Sequence, residues 1–234
     1  MMTSETSRGQ NEIEGRILAA AAHVFGHYGY DKSTLGDIAR EAGVAKSTLY
    51  LRWKTKEDLF GAVLWYEARQ FTYDWLARVA EDPAGGTFPN LYRHAVLLMR
   101  ENAFVMALIT RDRNVLGSFL KRPEMDGLVE ERLSMSRLFL TRLQAAGVIR
   151  RDLNIDAVGF LLNSMQYGFL RVDEITQEDP PIEDALDILA EMLNRLLTPV
   201  DGGDSEAGKQ VIAGVMAEIH TFLDTFENRP KQHE

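Results

Sequence analysis

The stretch Thr34–Lys56, TLGDIAREAGVAKSTLYLRWKTK, decides the fold of the first part of the chain. A helix-turn-helix needs a small residue where its two helices cross and a turn residue that tolerates positive φ. It also needs an apolar residue in the second helix that points inward. Ala39, Gly43 and Leu49 supply these features at the required spacing, and Thr34 stands where the first helix needs an N-cap. The stretch therefore predicts a helix-turn-helix.

The second helix of such a motif lies in the major groove of DNA, with its N-terminal end toward the base edges. Small or polar residues form that end here: Ala45, Lys46, Ser47 and Thr48. Their size allows the backbone to approach the groove closely. Tyr50 offers a hydroxyl and Lys56 a cation, and both groups suit phosphate oxygens.

The charge distribution agrees with a DNA-reading head on a body that does not bind DNA. The chain of 234 residues carries a net charge of −9, whereas residues 1–56 carry +2 and the remainder −11. Residues 45–56 contain four basic side chains and no acidic one. A chance cluster on a solvated face explains the charge alone equally well, so the motif has to decide between the two.

Composition excludes several other classes. With no cysteine, the chain has neither disulfides nor thiolate metal sites, and a reducing cytoplasm suits it. No apolar run is long enough for a membrane span. No phosphate-binding glycine loop, nucleophile elbow or paired-carboxylate signature is present, so we expect no catalytic residue, no cofactor and no enzyme activity. His23 and His27 lie four residues apart, but without a third ligand we expect no metal site.

The rest of the chain is also predicted to be helical, because apolar residues recur at helical spacing between prolines. No run of alternating β-branched residues indicates a strand. We expect helices at about 11–28, 35–42, 45–51, 55–80, 88–101, 103–110, 114–121, 125–146, 155–173, 182–197 and 205–227. The predicted fold class is all-α.

The run AxxAGVAKSTLYLRWKTKEDLF resembles the signature of the TetR family of bacterial transcriptional regulators, which is roughly IAxxAGVSxGTLYxHFxxKExL. The matching positions are Gly29, Tyr30, Thr34, Ile38, Ala39, Ala42, Gly43, Val44, Thr48, Leu49, Tyr50, Lys56, Glu57 and Leu59. Ser47 replaces a frequent glycine, and Arg52-Trp53 replaces a frequent His-Phe pair. The resemblance covers about residues 11–60.

The resemblance implies a three-helix DNA-binding domain followed by a larger helical domain for ligand binding and dimerisation. We place a disordered tail at 1–10, the DNA-binding domain at 11–55, the larger domain at 56–228 and a second tail at 229–234. The implied function is that of a homodimeric repressor, which binds a palindromic DNA operator and is released by a small apolar or amphipathic ligand. An activator, a ligand-independent regulator and a helical adaptor that uses the motif without DNA stay open as alternatives.

The resemblance also implies roles for individual residues. Phosphate contacts are expected at Thr34, Lys46, Ser47, Tyr50 and Lys56, and base-edge contacts at Ala45, Thr48 and Arg52. For Trp53 a bracing role inside the head is favoured.

The ligand site and the dimer interface are assigned to the body. Its methionines, aromatics and isolated polar residues either line a pocket or belong to the core and the surface. The pocket candidates are Tyr66, His94, Met99, Phe104, Phe139, Asn163, Gln166 and Tyr167. The interface candidates, on helices 155–173 and 182–197, are Gly159, Leu162, Met165, Phe169, Leu186, Leu189 and Leu193. They are alternatively internal core, and the role of helix 205–227 is open.

Overall fold

The structure is a computed structural model that describes residues 3–172, 181–201 and 203–227. Within these ranges every regular element is a helix, so the predicted all-α class is confirmed. The helices are α1 (Thr3–Tyr28), α2 (Leu35–Glu41), α3 (Lys46–Tyr50), α4 (Lys56–Glu81), α5 (Phe88–Glu101), α6 (Ala103–Thr110), α7 (Arg113–Leu116), α8 (Pro123–Ala145), α9 (Ile155–Arg171), α10 (Ile182–Leu197) and α11 (Ser205–Glu227). A 3₁₀ helix, Gly117–Lys121, follows α7. None of the helices described is long and apolar enough to cross a membrane.

The ends of the chain differ from the prediction in one respect. We expected a disordered tail over residues 1–10, but α1 begins at Thr3, eight residues earlier than the apolar pattern indicated. The pattern could not locate this end, because the first turns of α1 contain only polar residues and one glycine between Thr3 and Gln10. The predicted tail at 229–234 lies outside the described residues.

The chain divides into two compact units. The first comprises Met1–Gln70 and Ala103–Arg122, and the second Phe71–Asn102 and Pro123–Glu234. This division differs from the predicted boundary between residues 55 and 56. The first unit is larger than a three-helix head because it takes in most of α4 together with α6, α7 and the 3₁₀ helix.

Aromatic packing explains why residues 103–122 belong to the first unit. Phe60 of α4 is fully buried, and its ring centroid lies 4.8 Å from that of Phe25 in α1. The same ring lies 5.5 Å from Phe104 and 4.4 Å from Phe119. Buried aromatic pairs at these distances stabilise beyond their burial alone. One aromatic core therefore joins α1 and α4 to α6 and the 3₁₀ helix.

The helix-turn-helix forms as its sequence predicts. Thr34 caps α2, since its hydroxyl accepts a hydrogen bond from the backbone N–H of Asp37. Gly43 adopts a φ of +64° in the turn, where a side chain would be strained. Leu49 of α3 is fully buried and Ala39 of α2 is 4% exposed. These two residues hold the second helix against the first.

The second unit is a bundle built on α5, α9 and α10, with α8 and α11 against it. The Tyr92 hydroxyl of α5 donates to the carbonyl of Leu162 in α9 at 2.9 Å. The Trp75 indole N–H, in the last part of α4, donates to the carbonyl of Leu91. The buried core members contributed by α9 and α10 are Val158, Leu162, Leu186, Leu189, Leu193 and Leu197.

Helix α11 is an integral part of the second unit, which resolves the question left open by the sequence. Ile212, Val215 and Met216 are at most 4% exposed and belong to the unit's core. The helix begins against the loop before α5, where a Cβ on Gly208 would lie 1.8 Å from the carbonyl oxygen of Gly86. Only glycine allows so close an approach of the two backbones.

Candidate nucleic-acid interface

The N-terminal end of α3 presents a small, polar and exposed surface. Ala45 is the N-cap, with extended backbone angles and no side-chain capping bond. Lys46 and Ser47 are exposed, and Thr48 is half-buried. The buried Leu49 fixes the rotation of this five-residue helix, so these side chains face away from the unit's core. The surface therefore has the shape and polarity that a major-groove reader needs.

Lys46 and Tyr50 share this surface. Tyr50 is 42% exposed, and the Lys46 ammonium lies 5.8 Å from the centre of its ring. The cation and the phenol hydroxyl stand on one side of α3, one helical turn apart. Both are chemically suited to phosphate oxygens on one strand.

Thr34, unlike Lys46 and Tyr50, uses its side chain in hydrogen bonds to a neighbouring residue. Its hydroxyl donates to the Asp37 carboxylate at 2.6 Å and accepts from the Asp37 backbone N–H. The bond from Thr34 is the largest cause of a lowered pKa at Asp37, and the Arg40 guanidinium adds to it. Thr34 is exposed at the surface, but its hydroxyl serves first as the cap of α2.

The remaining two predicted contact residues, Arg52 and Lys56, are cations that bond to other groups within the first unit. The Lys56 ammonium donates to the backbone carbonyls of Tyr30 at 2.8 Å and Ser33 at 3.2 Å, and lies 4.3 Å from the Tyr30 ring centre. Arg52 forms an ion pair with Glu14 of α1. The structure therefore does not bring these two cations into the exposed group at α3.

Two polar connections that sequence reasoning missed join residues 103–122 to the α1–α2 connection and to the start of α4. The Tyr30 hydroxyl donates to Glu57 at 2.7 Å, and the Arg122 guanidinium lies 3.4 Å from the same carboxylate. Burial, followed by the bond to Glu57, raises the pKa of Tyr30, and that bond lowers the pKa of Glu57. Asp31 accepts hydrogen bonds from both the backbone N–H and the hydroxyl of Ser118. No local pattern pairs residues so far apart in sequence.

The predicted pocket residues fall into both units. Tyr66 and Phe104 belong to the first unit, where Phe104 is core, and the other six belong to the second. Tyr167 is 49% exposed on α9. The remaining five are half-buried: His94, Met99, Phe139, Asn163 and Gln166.

The polar members among them are held by bonds within the second unit. His94 Nε2 lies 3.0 Å from Asp82. Gln166 Nε2 lies 2.7 Å from the Met99 sulfur, and the Asn163 side-chain oxygen accepts from Arg132 of α8 at 3.0 Å. Arg132 was not among the predicted site residues, because its neighbours in sequence, Glu130 and Glu131, make it look like an ordinary surface cation.

Burial corrects the predicted dimer interface. Leu162, Leu186, Leu189 and Leu193 are between 1% and 7% exposed and lie in the core of the second unit. Gly159 approaches Leu140 of α8, and Met165 and Phe169 pack against the same core. The large apolar residues that α9 and α10 do expose lie on their opposite faces: Phe160, Leu161, Tyr167, Ile188, Met192 and Leu196.

No group of three or more histidine, aspartate and glutamate side chains in the described ranges is arranged to hold a metal ion. His23 pairs instead with Glu41 at 3.1 Å, on the surface of the first unit.

Comparison with known proteins agrees with the helix-turn-helix and the helical body. Residues 17–63 match the sequence model of the tetR family of bacterial regulatory proteins. An uncharacterized HTH-type transcriptional regulator of Mycobacterium tuberculosis is 41% identical over 58 residues, which are 25% of this chain and 31% of that protein. The chain thus matches less than a third of that relative's length. The HTH-type transcriptional repressor AcnR of Corynebacterium jeikeium is 26% identical over 195 residues, covering 81% of this chain and 95% of AcnR.

The fold is also found among solved structures. The transcriptional regulator FadR from Bacillus subtilis superposes with a TM-score of 0.58 at 19% identity, over 76% of this chain and 96% of FadR. The motif and the helical second unit are features that the chain shares with helix-turn-helix transcriptional regulators. Residues 17–63 thus carry the sequence signature of the TetR family of bacterial transcriptional regulators, as the sequence indicated.

Proposed function

We propose that this regulator is a homodimeric repressor that binds a palindromic operator through α3 and leaves it when a small molecule binds the second unit. The observation that carries the proposal is the exposed end of α3, where Lys46, Ser47 and Tyr50 stand clear of the core while Leu49 anchors the helix. The similarity to AcnR, a repressor, over most of both chains favours repression over activation.

The exposed residues divide by chemistry into two groups. We assign phosphate contacts to Lys46, Ser47 and Tyr50, with Thr34 beside them, because their donors suit phosphate oxygens. Ala45 and Thr48, small residues at the start of α3, are assigned to the base edges.

Arg52 and Lys56 are assigned a positioning role in place of direct DNA contact. Lys56 donates to two backbone carbonyls within the α1–α2 connection, and Arg52 pairs with Glu14 of α1. Both therefore fix the first unit's helices relative to α3.

The exposed apolar faces of α9 and α10 support the dimer. Phe160 and Leu161 are 73% and 59% exposed, and Ile188 and Leu196 are 65% and 58% exposed. Large apolar side chains exposed together on a helix face mark interaction sites. In a two-fold dimer the same face of each protomer meets its copy, and two recognition helices then read the two halves of a palindrome.

In this proposal a small molecule bound to the second unit releases the protein from DNA. FadR, which shares the fold, was crystallised with stearoyl-CoA. In our chain the second unit carries polar side chains among apolar ones, at Asn163 and Gln166. A ligand changes DNA affinity only if it binds the free and DNA-bound states with different affinities.

The test is selection of bound duplexes from a random DNA pool by the purified protein at moderate salt. A palindromic consensus whose affinity falls steeply with salt is the expected result, because each neutralised phosphate contributes about −0.9 to the salt slope. Lys46→Ala lowers affinity for the selected duplex, whereas Arg137→Ala, which removes an exposed cation of the second unit, leaves it unchanged. Failure to enrich any duplex with folded protein contradicts operator binding, and a non-palindromic consensus contradicts the dimer.

A further inference from the structure

Arg132 of α8 has unusual surroundings for an arginine in this chain. Its side chain is half-buried, and a guanidinium N–H donates to the Asn163 side-chain oxygen of α9 at 3.0 Å. Burial lowers the pKa of Arg132. Within the described ranges no carboxylate forms an ion pair with it.

Other arginines of the second unit are paired with acids. The pairs are Arg78–Glu101, Arg93–Asp187, Arg137–Asp156, Arg142–Glu218, Arg150–Asp152 and Arg195–Glu191. Arg132 by contrast has five N–H donors, of which a neutral amide takes one. Taking a guanidinium partly out of water costs free energy that only an anion recovers well. The single bond to a neutral amide offsets only part of this cost.

The side chain that contacts Arg132 is a fixed acceptor, and a second amide lies close to it along α9. Asn163 is held by a second bond, from its amide N–H to the Gly159 carbonyl at 2.8 Å, so its oxygen stays aimed at Arg132. Gln166 lies three residues further along α9, on the same face. Its amide N–H is directed at the sulfur of Met99, which is a weak acceptor.

Methionines give this region the ability to change shape. Met99 of α5 and Met135, three residues after Arg132 on α8, both pack only partly buried against the unit's core. Methionine side chains are unbranched and adapt to different apolar neighbours at low cost. The two methionine side chains can therefore change conformation to pack against the apolar part of a ligand.

We propose that Arg132 and Gln166 form the subsite for the head group of an anionic effector, an organic acid or phosphate ester with an apolar tail, and that Asn163 positions the guanidinium. The effector's oxygens pair with the guanidinium in the two-bond geometry that carboxylates and phosphates adopt with arginine. Gln166 exchanges its sulfur partner for an anionic oxygen, and the methionines cover the tail. The inference rests on the proposed ligand-released regulator and names the chemical class of its ligand.

The binding test uses thermal unfolding of the purified full-length protein with three probes of equal chain length: decanoate, monodecyl phosphate and 1-decanol, all below their micelle thresholds. A ligand that binds only the folded state raises Tm. We expect decanoate, monodecyl phosphate or both to raise Tm and 1-decanol to have little effect. The two anions separate a carboxylate site from a phosphate site. If neither anion raises Tm more than the alcohol, the proposal is overturned.

Variants locate the effect. Arg132→Met keeps the length of the side chain and should weaken binding of the effective anion at least about thirtyfold, because a buried charge partner is lost. Arg132→Lys keeps the charge but not the two-bond geometry, so its affinity for the anion should lie between those of the wild type and Arg132→Met. Arg137→Met, five residues along α8 and exposed, should bind like the wild type. Equal binding by Arg132→Met and the wild type overturns the assignment.

A second readout needs no ligand. If Arg132 is kept for a ligand, Arg132→Met removes an uncompensated charge and raises the Tm of the free protein by about 2–4 °C. If Arg132 only fastens α8 to α9, the same change lowers Tm, and that result also overturns the proposal. If the proposed regulator function is wrong, the DNA selection described above fails. Anion binding is measured without DNA and can still succeed, so the two failures are distinguishable.

Discussion

Replacing Ile188 by glutamate should dissociate the dimer without unfolding the protomer. Ile188 lies near the middle of α10 and is 65% exposed, on the face opposite to the buried Leu186, Leu189 and Leu193. Its side chain makes no contribution to the protomer's core, so the substitution leaves the fold intact. In the proposed dimer the same side chain is covered by the partner.

The magnitude follows from exposure and symmetry. Full burial of an isoleucine stabilises by about 1.5–3 kcal/mol, so covering the exposed two-thirds is worth about 1–2 kcal/mol. A two-fold interface contains the residue twice, which doubles the loss to about 2–4 kcal/mol. Burying two carboxylates in its place adds at least about 1 kcal/mol. The dimer is therefore weakened by about 3–5 kcal/mol, or about 150- to 5,000-fold in Kd.

Sedimentation velocity over a dilution series measures this change, and circular dichroism checks that the variant is folded. Leu51→Glu is the matched control, because Leu51 is 81% exposed in the first unit and receives the same chemical change. We expect Ile188→Glu to sediment as a monomer at concentrations where the wild type and Leu51→Glu are dimers. A variant as dimeric as the wild type refutes the assigned interface, and a monomeric wild type refutes the dimer.

Three further predictions concern the head and the last helix. Lys46→Ala should weaken binding about equally across DNA sequences and reduce the salt slope by about one, because a phosphate contact carries no sequence information. Gly208→Ala should destabilise the protein by about 3 kcal/mol or more in thermal unfolding, because its Cβ meets a backbone carbonyl. Tyr30→Phe should cost about 1 kcal/mol at neutral pH through the lost bond to the partly exposed Glu57. Since that bond lowers the pKa of Glu57, its contribution is complete above the ordinary glutamate pKa of 4.5. The difference between wild type and variant in chemical denaturation should therefore shrink as pH falls through the lowered value.

Each of these has an outcome that contradicts it. A loss of affinity on Lys46→Ala that depends on the bases would assign the lysine to base reading. Gly214→Ala is the control for Gly208, because its Cβ meets nothing within 4 Å and alanine favours a helix. If both alanine variants are equally stable, α11 does not dock as described. A constant difference for Tyr30→Phe at all pH values would mean that Glu57 is not its cause.

Much of the fold was predictable because its signals are local. The cap at Thr34, the positive φ at Gly43 and the inward Leu49 are each specified within a few residues, and the helix-turn-helix formed as predicted. Most helix limits agreed to within two residues for the same reason. The early start of α1 at Thr3 was missed, since no apolar periodicity marks its first turns.

The candidate site was predictable only in part. Lys46, Ser47 and Tyr50 are exposed together at α3, in the arrangement expected of them. Lys56 turned out to bond the backbone carbonyls of Tyr30 and Ser33, 26 and 23 residues away. A cation's partner at that separation depends on how the helices pack, which composition and spacing do not encode.

By itself the sequence determined the class of fold, the helix-turn-helix and the resemblance to the TetR family, because caps, turns and helical periodicity act over a few residues. Only the tertiary structure decided which face of α9 and α10 is buried. Both helices carry apolar residues on two faces, so periodicity predicted the helices but chose Leu186 and Leu189 for an interface when they are core. The tertiary structure also decided that the Arg132 guanidinium bonds Asn163 rather than water. Both outcomes depend on which helices lie alongside, and that is fixed by the packing of the whole unit.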